Sequence, residues 1–273
     1  MPKAMPKISI VMDSYNQIKY IENSIRSVVE QNYPELEFII FDGGSTDGSV
    51  DVIKKYESNI TYWQSKPDGG QVKALNAGIN KSSGDIVGVL DSDDMLCPDA
   101  LNIVGNYFAE NPGKDWLGGG GIIRDIKNGD TVKLPKRIDF ESFLKNWNEY
   151  WICQPSIFWK KSIWNRIGSF DEIYSSSFDY DFWLRLSRQG EGGMVDDILS
   201  ISLRHNEQKT QKMDYQTFIE TNLIMFSHGA KDEAMNNLED IYRKCFKLRK
   251  ALSFILSSRI YRAISNWKKG GAN

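Results

Sequence analysis

The sequence is poor in several features that would announce a common protein class. Three cysteines in 273 residues, Cys97, Cys153 and Cys245, are too few and too far apart for a disulfide framework or a thiolate metal knuckle, so a reducing cytoplasmic setting is expected. No apolar run approaches the roughly eighteen residues of a bilayer-crossing helix, and no signal-peptide pattern opens the chain. Neither sign of charge dominates: 34 Lys and Arg against 36 Asp and Glu argue against a dedicated nucleic-acid binder. The phosphate-loop Lys-Ser/Thr pattern and the GxGxxG fingerprint are both missing, which removes two common nucleotide chemistries. Internal repeats are lacking too. What is present is apolar mass: 41% hydrophobic and 12% aromatic residues can build a sizeable core.

The near-zero charge total conceals a division. From residue 241 onward there are nine basic residues, Arg243 the first and Lys269 the last, and no acidic one. The first 240 residues therefore hold 25 basic and 36 acidic side chains, a net of −11. An acidic body carries a basic tail, and the two need separate explanations.

Residues 8–12 (ISIVM), 36–41 (LEFIIF) and 86–90 (IVGVL) are apolar runs of strand length, and 60–63 is a shorter one. Between them Ile21, Ile25, Val28 and Val29, then Val50, Ile53 and Tyr56, then Ala74, Leu75 and Ile79 recur at helical spacing. This alternation with short loops predicts a mostly parallel sheet covered on both faces. The strands end in polar clusters: DSYN at 13–16, DGGS at 42–45 and DSDD at 91–94. In open α/β sheets that edge is where ligands bind. Further on, residues 116–124 with GGGG at 118–121 read as a strand under close backbone approach. Helices are expected at 139–147, 162–167 and 179–188, and two short strands at 195–197 and 199–203.

Three carboxylates in DSDD repel one another, and a cation relieves that repulsion best. An all-oxygen ligand set suits Mg²⁺ or Mn²⁺. The alternative is an acidic loop capping a helix that begins near Pro98. In DGGSTDGS at 42–49 the glycines permit a sharp turn, and Asp42 can accept hydrogen bonds from a nucleobase or ribose; a plain tight turn explains the segment equally well. Trp147, Tyr150, Trp151, Trp159 and Trp164 cluster in sequence, either as core or as a platform on which a ligand ring could stack.

Taken together, SIVMDSYNQ, SVVEQNYPELEFIIFDGGSTDGS, KPDGGQVKALNAGINKSSGDIVGVLDSDD, QPSIFWKKSIWNRIGSFDE and FDYDFWLRL resemble, in order and spacing, the family-two glycosyltransferases of the GT-A fold over residues 6–206. The resemblance implies an inverting enzyme that uses a divalent metal, Mn²⁺ or Mg²⁺, and a nucleotide-diphosphate sugar, UDP being the favoured nucleotide. Ser14, Tyr15 and Asp42 would line the donor base, Asp68 would lie near the donor, and Asp91 with Ser92 would face the ribose side. Asp93 would hold the metal, joined by His205, which alone could equally be a surface residue. Asp179 would be the catalytic base, its charge favoured by a helix N-terminus. Three positions depart from the family pattern: Asp13, Lys73 and Phe178.

The expected architecture is an α/β GT-A catalytic domain over residues 1–210 and a C-terminal helical extension over 211–273. Leu248, Leu252, Ile255, Leu256, Ile260, Ala263, Ile264 and Trp267 mark one apolar helical face among basic residues, fitting an anionic membrane surface at the cytoplasmic face, or else packing on the domain or a second subunit. The acceptor would be a glycan or lipid-linked saccharide, with Gln154 and Trp151 the best acceptor-side candidates. A nucleotidyltransferase of related fold and a catalytically silent nucleotide-sugar binding module are the competing classes.

Overall fold

The computed structural model describes residues 4–134, 140–145, 153–205 and 214–257. Trp147, Tyr150 and Trp151 lie outside them, as do the side chains of Leu248 and of every residue after Lys250. The chain divides into two compact units, Met1–Glu220 and Thr221–Asn273.

The first unit opens with strictly alternating strands and helices: β1 (Ile8–Ser14), α1 (Ile21–Val29), β2 (Leu36–Asp42), α2 (Ser49–Lys55), β3 (Tyr62–Ser65), α3 (Gln71–Lys81) and β4 (Ile86–Asp91). A two-residue strand β5 (Met95–Leu96), α4 (Ala100–Glu110), β6 (Trp116–Asp125), β7 (Gly129–Lys133) and α5 (Phe140–Lys145) follow. The unit continues through β8 (Ile157–Lys160), α6 (Lys161–Ile167), α7 (Phe178–Gln189), β9 (Gly192–Arg204) and the start of α8 (Asp214–His228). One sheet holds all the strands in the order β3-β2-β1-β4-β8-β6-β9-β5, with β7 paired to β6. The pairs β1–β2, β1–β4, β2–β3 and β6–β9 are parallel, whereas β8 runs antiparallel between β4 and β6.

Side chains alternate across the sheet as the two-residue period requires. Ile8, Ile10 and Met12 of β1 join Ile21, Ile25 and Val28 of α1 and Leu101, Val104 and Phe108 of α4 in one core. On the opposite side Trp159 of β8 packs against Trp164, Phe170, Phe182 and Trp183 with ring centroids 5.1–6.2 Å apart. Trp159 and Trp164 are therefore core residues and do not floor an acceptor site; each stabilises the fold by burying a large ring.

The second half departs from its sequence pattern in one place. Instead of two short strands, β9 is a single strand of 13 residues that crosses the break at Asp196 and Asp197 by a register shift against Gly118–Gly121 of β6. The glycines make this possible: a Cβ on Gly119 would lie 2.4 Å from Leu199 Cγ, and one on Gly121 would lie 2.5 Å from Cys153 Sγ. DSDD does not cap the helix after it either. β5 intervenes, and α4 is capped by Gln31, whose Oε1 accepts the Leu101 N–H at 3.2 Å.

The second unit consists of the end of α8 and α9 (Lys231–Ser257). Asn237 Nδ2 donates to Asn222 Oδ1 at 2.9 Å, while Tyr242 and Phe246 of α9 stay exposed and stacked on each other. Among the described residues no helix is long and apolar enough to cross a membrane.

Candidate active site

Hydrogen bonds between loops gather the carboxyl ends of β1 and β2, and parallel pairing sets the end of β4 beside β1. Asn16, in the left-handed conformation at φ 54°, donates its N–H to Ser45 Oγ at 2.8 Å, and its Oδ1 accepts the Thr46 N–H at 3.0 Å. The Gln17 and Ile18 amides donate to Ser49 Oγ and Asp47 Oδ2. Beside these loops lies a cleft of about 1130 Å³, lined by Ser14, Tyr15, Asp68, Asp91, Ser92, Asp93 and Asp179 of the sequence-predicted set, together with Asp13 and Gln154. Its volume exceeds the roughly 300–1,000 Å³ of single-ligand pockets and can hold two reactants.

Two predicted residues are not on this wall. Asp42 is fully buried, and its carboxylate is occupied by the loop that follows it: Oδ2 accepts from the Gly44 and Ser45 amides and from Ser65 Oγ, and Oδ1 from Ser45 Oγ at 2.5 Å. It shapes the wall by fixing Gly43 and Gly44. An ideal Cβ on Gly43 would come within 3.3 Å of the Tyr15 ring and 3.4 Å of the Asp68 carboxylate, so the slot between them exists because residue 43 has no side chain. Tyr15 itself is 63% exposed, an open aromatic face. Asp68 Oδ1 accepts the Gly70 N–H at 2.8 Å, holding the turn into α3.

His205, the other, is buried behind the acidic cluster. Its Nε2 lies 3.0 Å from Asp93 Oδ2, and its ring stacks obliquely on Tyr20 at 4.4 Å. Asp91, Asp93 and Asp94 each offer one oxygen within 4.8 Å of the others. Asp94 is tied inward, its Oδ1 accepting the Leu203 N–H at 2.9 Å and so joining the cluster to β9. Asp13 sits opposite Asp91 in the β1–β4 register; its Oδ1 is buried with no hydrogen-bond partner among the described residues.

Crowding carboxylates out of water has the expected electrostatic result. Burial, then the negative charge of Asp93, pushes Asp91 up to about 7, even though Gln71 Nε2 donates to its Oδ1 at 3.1 Å. Asp13 and Asp94 rise too, chiefly through burial and then through their acidic neighbours. Two carboxyls facing each other across β1 and β4 thus hold their protons more tightly than free carboxylates do.

Asp179 occupies the first turn of α7, where Tyr180 N–H donates to its Oδ1 at 2.8 Å. The sequence suggested that the helix N-terminus would hold this carboxylate in its charged form. The opposite shift occurs: burial outweighs the amide hydrogen bonds and raises its pKa to about 6. Asp181 plays no part in the cleft; it is paired to Arg185 at 2.8 Å, and Arg185 also binds the carbonyls of Ile167, Gly168 and Ser169. Gln154 was legible only as an acceptor-side candidate. Its Nε2 is buried at the cleft with no partner among the described residues.

Residues 9–169 match the family model described as Glycosyl transferase family 2. The chain belongs to that family. It is 28% identical over 229 residues to chondroitin synthase of Escherichia coli, covering 78% of this chain but only 31% of that one. It is 30% identical over 182 residues to an uncharacterized glycosyltransferase of Mycobacterium tuberculosis, covering 66% and 68% of the two chains. Among solved structures, TarS of Staphylococcus aureus, residues 1–349 with UDP-GlcNAc, has a TM-score of 0.63 at 17% identity, over 94% of this chain and 77% of that one. The mannosyltransferase PcManGT of Pyrobaculum calidifontis, with GDP-Man and Mn²⁺, gives 0.57 at 14% identity, over 97% and 84%. These likenesses establish the GT-A fold of the family-2 chain and align with its mixed, mostly parallel sheet.

Proposed function

We propose that this family-2 chain transfers a sugar, with inversion, from a nucleotide-diphosphate sugar to a hydroxyl of a glycan or lipid-linked saccharide. The observation that carries the reading is one cleft with a cation-competent carboxylate cluster and, separately, the half-buried Asp179 carboxylate, raised to about 6. The Tyr15 face and the slot at Gly43 receive the base; Asp68, Asp91 and Ser92 line the path towards the ribose. UDP is the favoured nucleotide, since relatives of this fold have been crystallised with UDP-GlcNAc as well as with GDP-Man.

The residues present fit a hard divalent cation, Mn²⁺ or Mg²⁺: the donors are oxygens, they repel one another, and Asp13 Oδ1 beside them has no hydrogen-bond partner among the described residues. Asp93 would hold it, with His205 steering Asp93 or joining it. When bound, such an ion stabilises the negative charge gathering on the departing nucleoside diphosphate. Asp179 takes the proton of the acceptor hydroxyl, which is a poor nucleophile until that proton leaves. Gln154 Nε2 supplies a donor to an acceptor oxygen. The basic tail brings the cleft to an anionic membrane surface on the cytoplasmic side.

Release of free UDP or GDP across a panel of UDP-GlcNAc, UDP-Glc and GDP-Man with Mn²⁺ tests the reaction class; no release from any donor, with or without saccharide acceptors, sinks it. Gly43→Val fills the slot and should raise donor KM about tenfold with kcat held within about threefold. An unchanged KM would take the base away from this slot. For the tail, sedimentation with phosphatidylserine vesicles should pull down the full chain and leave a chain ending at Ile241 in solution; equal binding of both removes the membrane role.

A further inference from the structure

The loop leading into α7 is held by a residue from a different helix, one that neither the family pattern nor the sequence singled out. Glu220 of α8 is buried, and its carboxylate collects three consecutive backbone amides: Ser175 N–H to Oε1 at 3.1 Å, and Ser176 and Ser177 N–H to Oε2 at 2.8 and 3.0 Å. Ser175 Oγ at 3.0 Å and Gln216 Nε2 at 2.8 Å complete the shell of Oε1. α7 has no side-chain cap of its own, because Ser177 at the cap position turns its hydroxyl to the Thr217 carbonyl. An anion at this place therefore does the work of a capping residue. Asp179 stands two residues beyond the last amide bound, and Ser176 is itself on the cleft wall.

We propose that Glu220 is a positioning residue for the Asp179 carboxylate: it clamps residues 175–177 so that the first turn of α7 presents Asp179 at a fixed place in the cleft. The proposal rests on Asp179 acting as the base. With Ser176 Oγ at 3.4 Å from Oε2, six hydrogen bonds reach one carboxylate, three of them from successive amides, which exceeds what anchoring a surface loop requires. They fix backbone on the side of Asp179 where its own helix supplies no restraint. The charged groups facing Asp179 are Glu220 from α8 and Asp91 from the end of β4; Asp181 on its own helix is neutralised by Arg185. Glu220, whose own carboxyl its hydrogen bonds keep ionised, raises the proton affinity of Asp179 after burial has done most of it, whereas Asp91, raised to about 7, is still protonated where Asp179 titrates. A base held at a set distance from its proton acts on kcat, since a small displacement is amplified in the transition state.

The test compares Glu220→Gln, Glu220→Ala and Asp179→Asn in the full chain, using the donor of the panel that is turned over fastest. Glu220→Gln keeps shape and one acceptor oxygen but loses the charge. The acid limb of its kcat/KM profile should move about half a pH unit lower, with kcat reduced roughly three- to tenfold. Glu220→Ala should lose roughly thirtyfold in kcat with donor KM within twofold. Backbone amide exchange at residues 175–177 should quicken at least about tenfold in both variants. Wild-type kcat and an unmoved acid limb in both, alongside an inactive Asp179→Asn, overturn the clamp. If Glu220→Ala fails to fold, Glu220→Gln decides by the same readings. If Asp179→Asn keeps full turnover, the base assignment has failed instead, and unchanged amide exchange in Glu220→Gln then rejects the clamp on its own.

Discussion

Replacing Asp179 by Asn is expected to lower kcat by about a thousandfold, about 4 kcal/mol of barrier, while donor KM changes less than about threefold. Asn is nearly isosteric and can still accept the Tyr180 N–H that the carboxylate accepts at 2.8 Å, so α7 should start as before and the loss is chemical. The pH profile gives an independent check. A base works in its ionised form, and burial raises Asp179 to about 6. Below that value the carboxyl is protonated, so kcat/KM of the wild type should fall about tenfold per pH unit on the acid side and level off above about 7. Had the helix N-terminus prevailed over burial, the limb would lie below 4. Measuring kcat/KM from pH 4.5 to 8.5 separates these two electrostatic accounts. A limb below 4, or full turnover by Asp179→Asn, dismisses Asp179 as the base.

How far the sequence announced this arrangement depended on the range of the interactions concerned. β1, β2 and β4 are short apolar runs, and the polar clusters that end them are contiguous, so the cleft edge was legible from local pattern. Asp91 and Asp93 follow from it directly, whereas Asp68, in the loop after β3, came from the family resemblance. Asp42 was legible as a strand-end carboxylate but not as a spent one, because its occupation depends on Ser65 of the next strand. Asp94 looked equivalent to its neighbours in DSDD; its commitment to the Leu203 amide becomes visible only once β9 lies beside β5. β9 read as two strands because Asp196 and Asp197 interrupt its apolar pattern, and the slip that absorbs them belongs to the glycines of β6. Glu220 was invisible, since the three amides it binds lie 43 to 45 residues away and its one near partner, Gln216, is an ordinary neighbour on the same helix. Asp179 was found by motif, but the direction of its pKa shift was misjudged because burial is a tertiary quantity.

Removing Asp93 should have the other large effect, and in a form that does not depend on knowing the donor. Asp91, Asp93 and Asp94 have ligand oxygens within 4.8 Å of one another, and their mutual repulsion, after burial, raises Asp91 to about 7. Between the ordinary carboxylate range and that value the folded chain binds more protons than the unfolded one. The contribution of Asp91 to stability therefore falls as pH rises through this window. A divalent cation reverses the balance by favouring the ionised carboxylates, and it must displace their protons to do so. Millimolar Mn²⁺ should then raise the melting temperature, and by more at pH 8 than at pH 6; at a hundredfold excess over Kd the stabilisation is about 2.7 kcal/mol. Asp93→Ala should abolish this shift at both pH values. It should also narrow the difference in stability of the metal-free chain between pH 6 and pH 8, because one of the charges that raise Asp91 has gone. In turnover, the wild type treated with EDTA and the variant with full Mn²⁺ should both lose about a hundredfold or more, the leaving diphosphate having lost its counter-charge. Only the wild type should recover when Mn²⁺ is restored. An Asp93→Ala chain that keeps a pH-dependent Mn²⁺ shift would move the ion to other ligands, with the unpaired Oδ1 of Asp13 the first to examine.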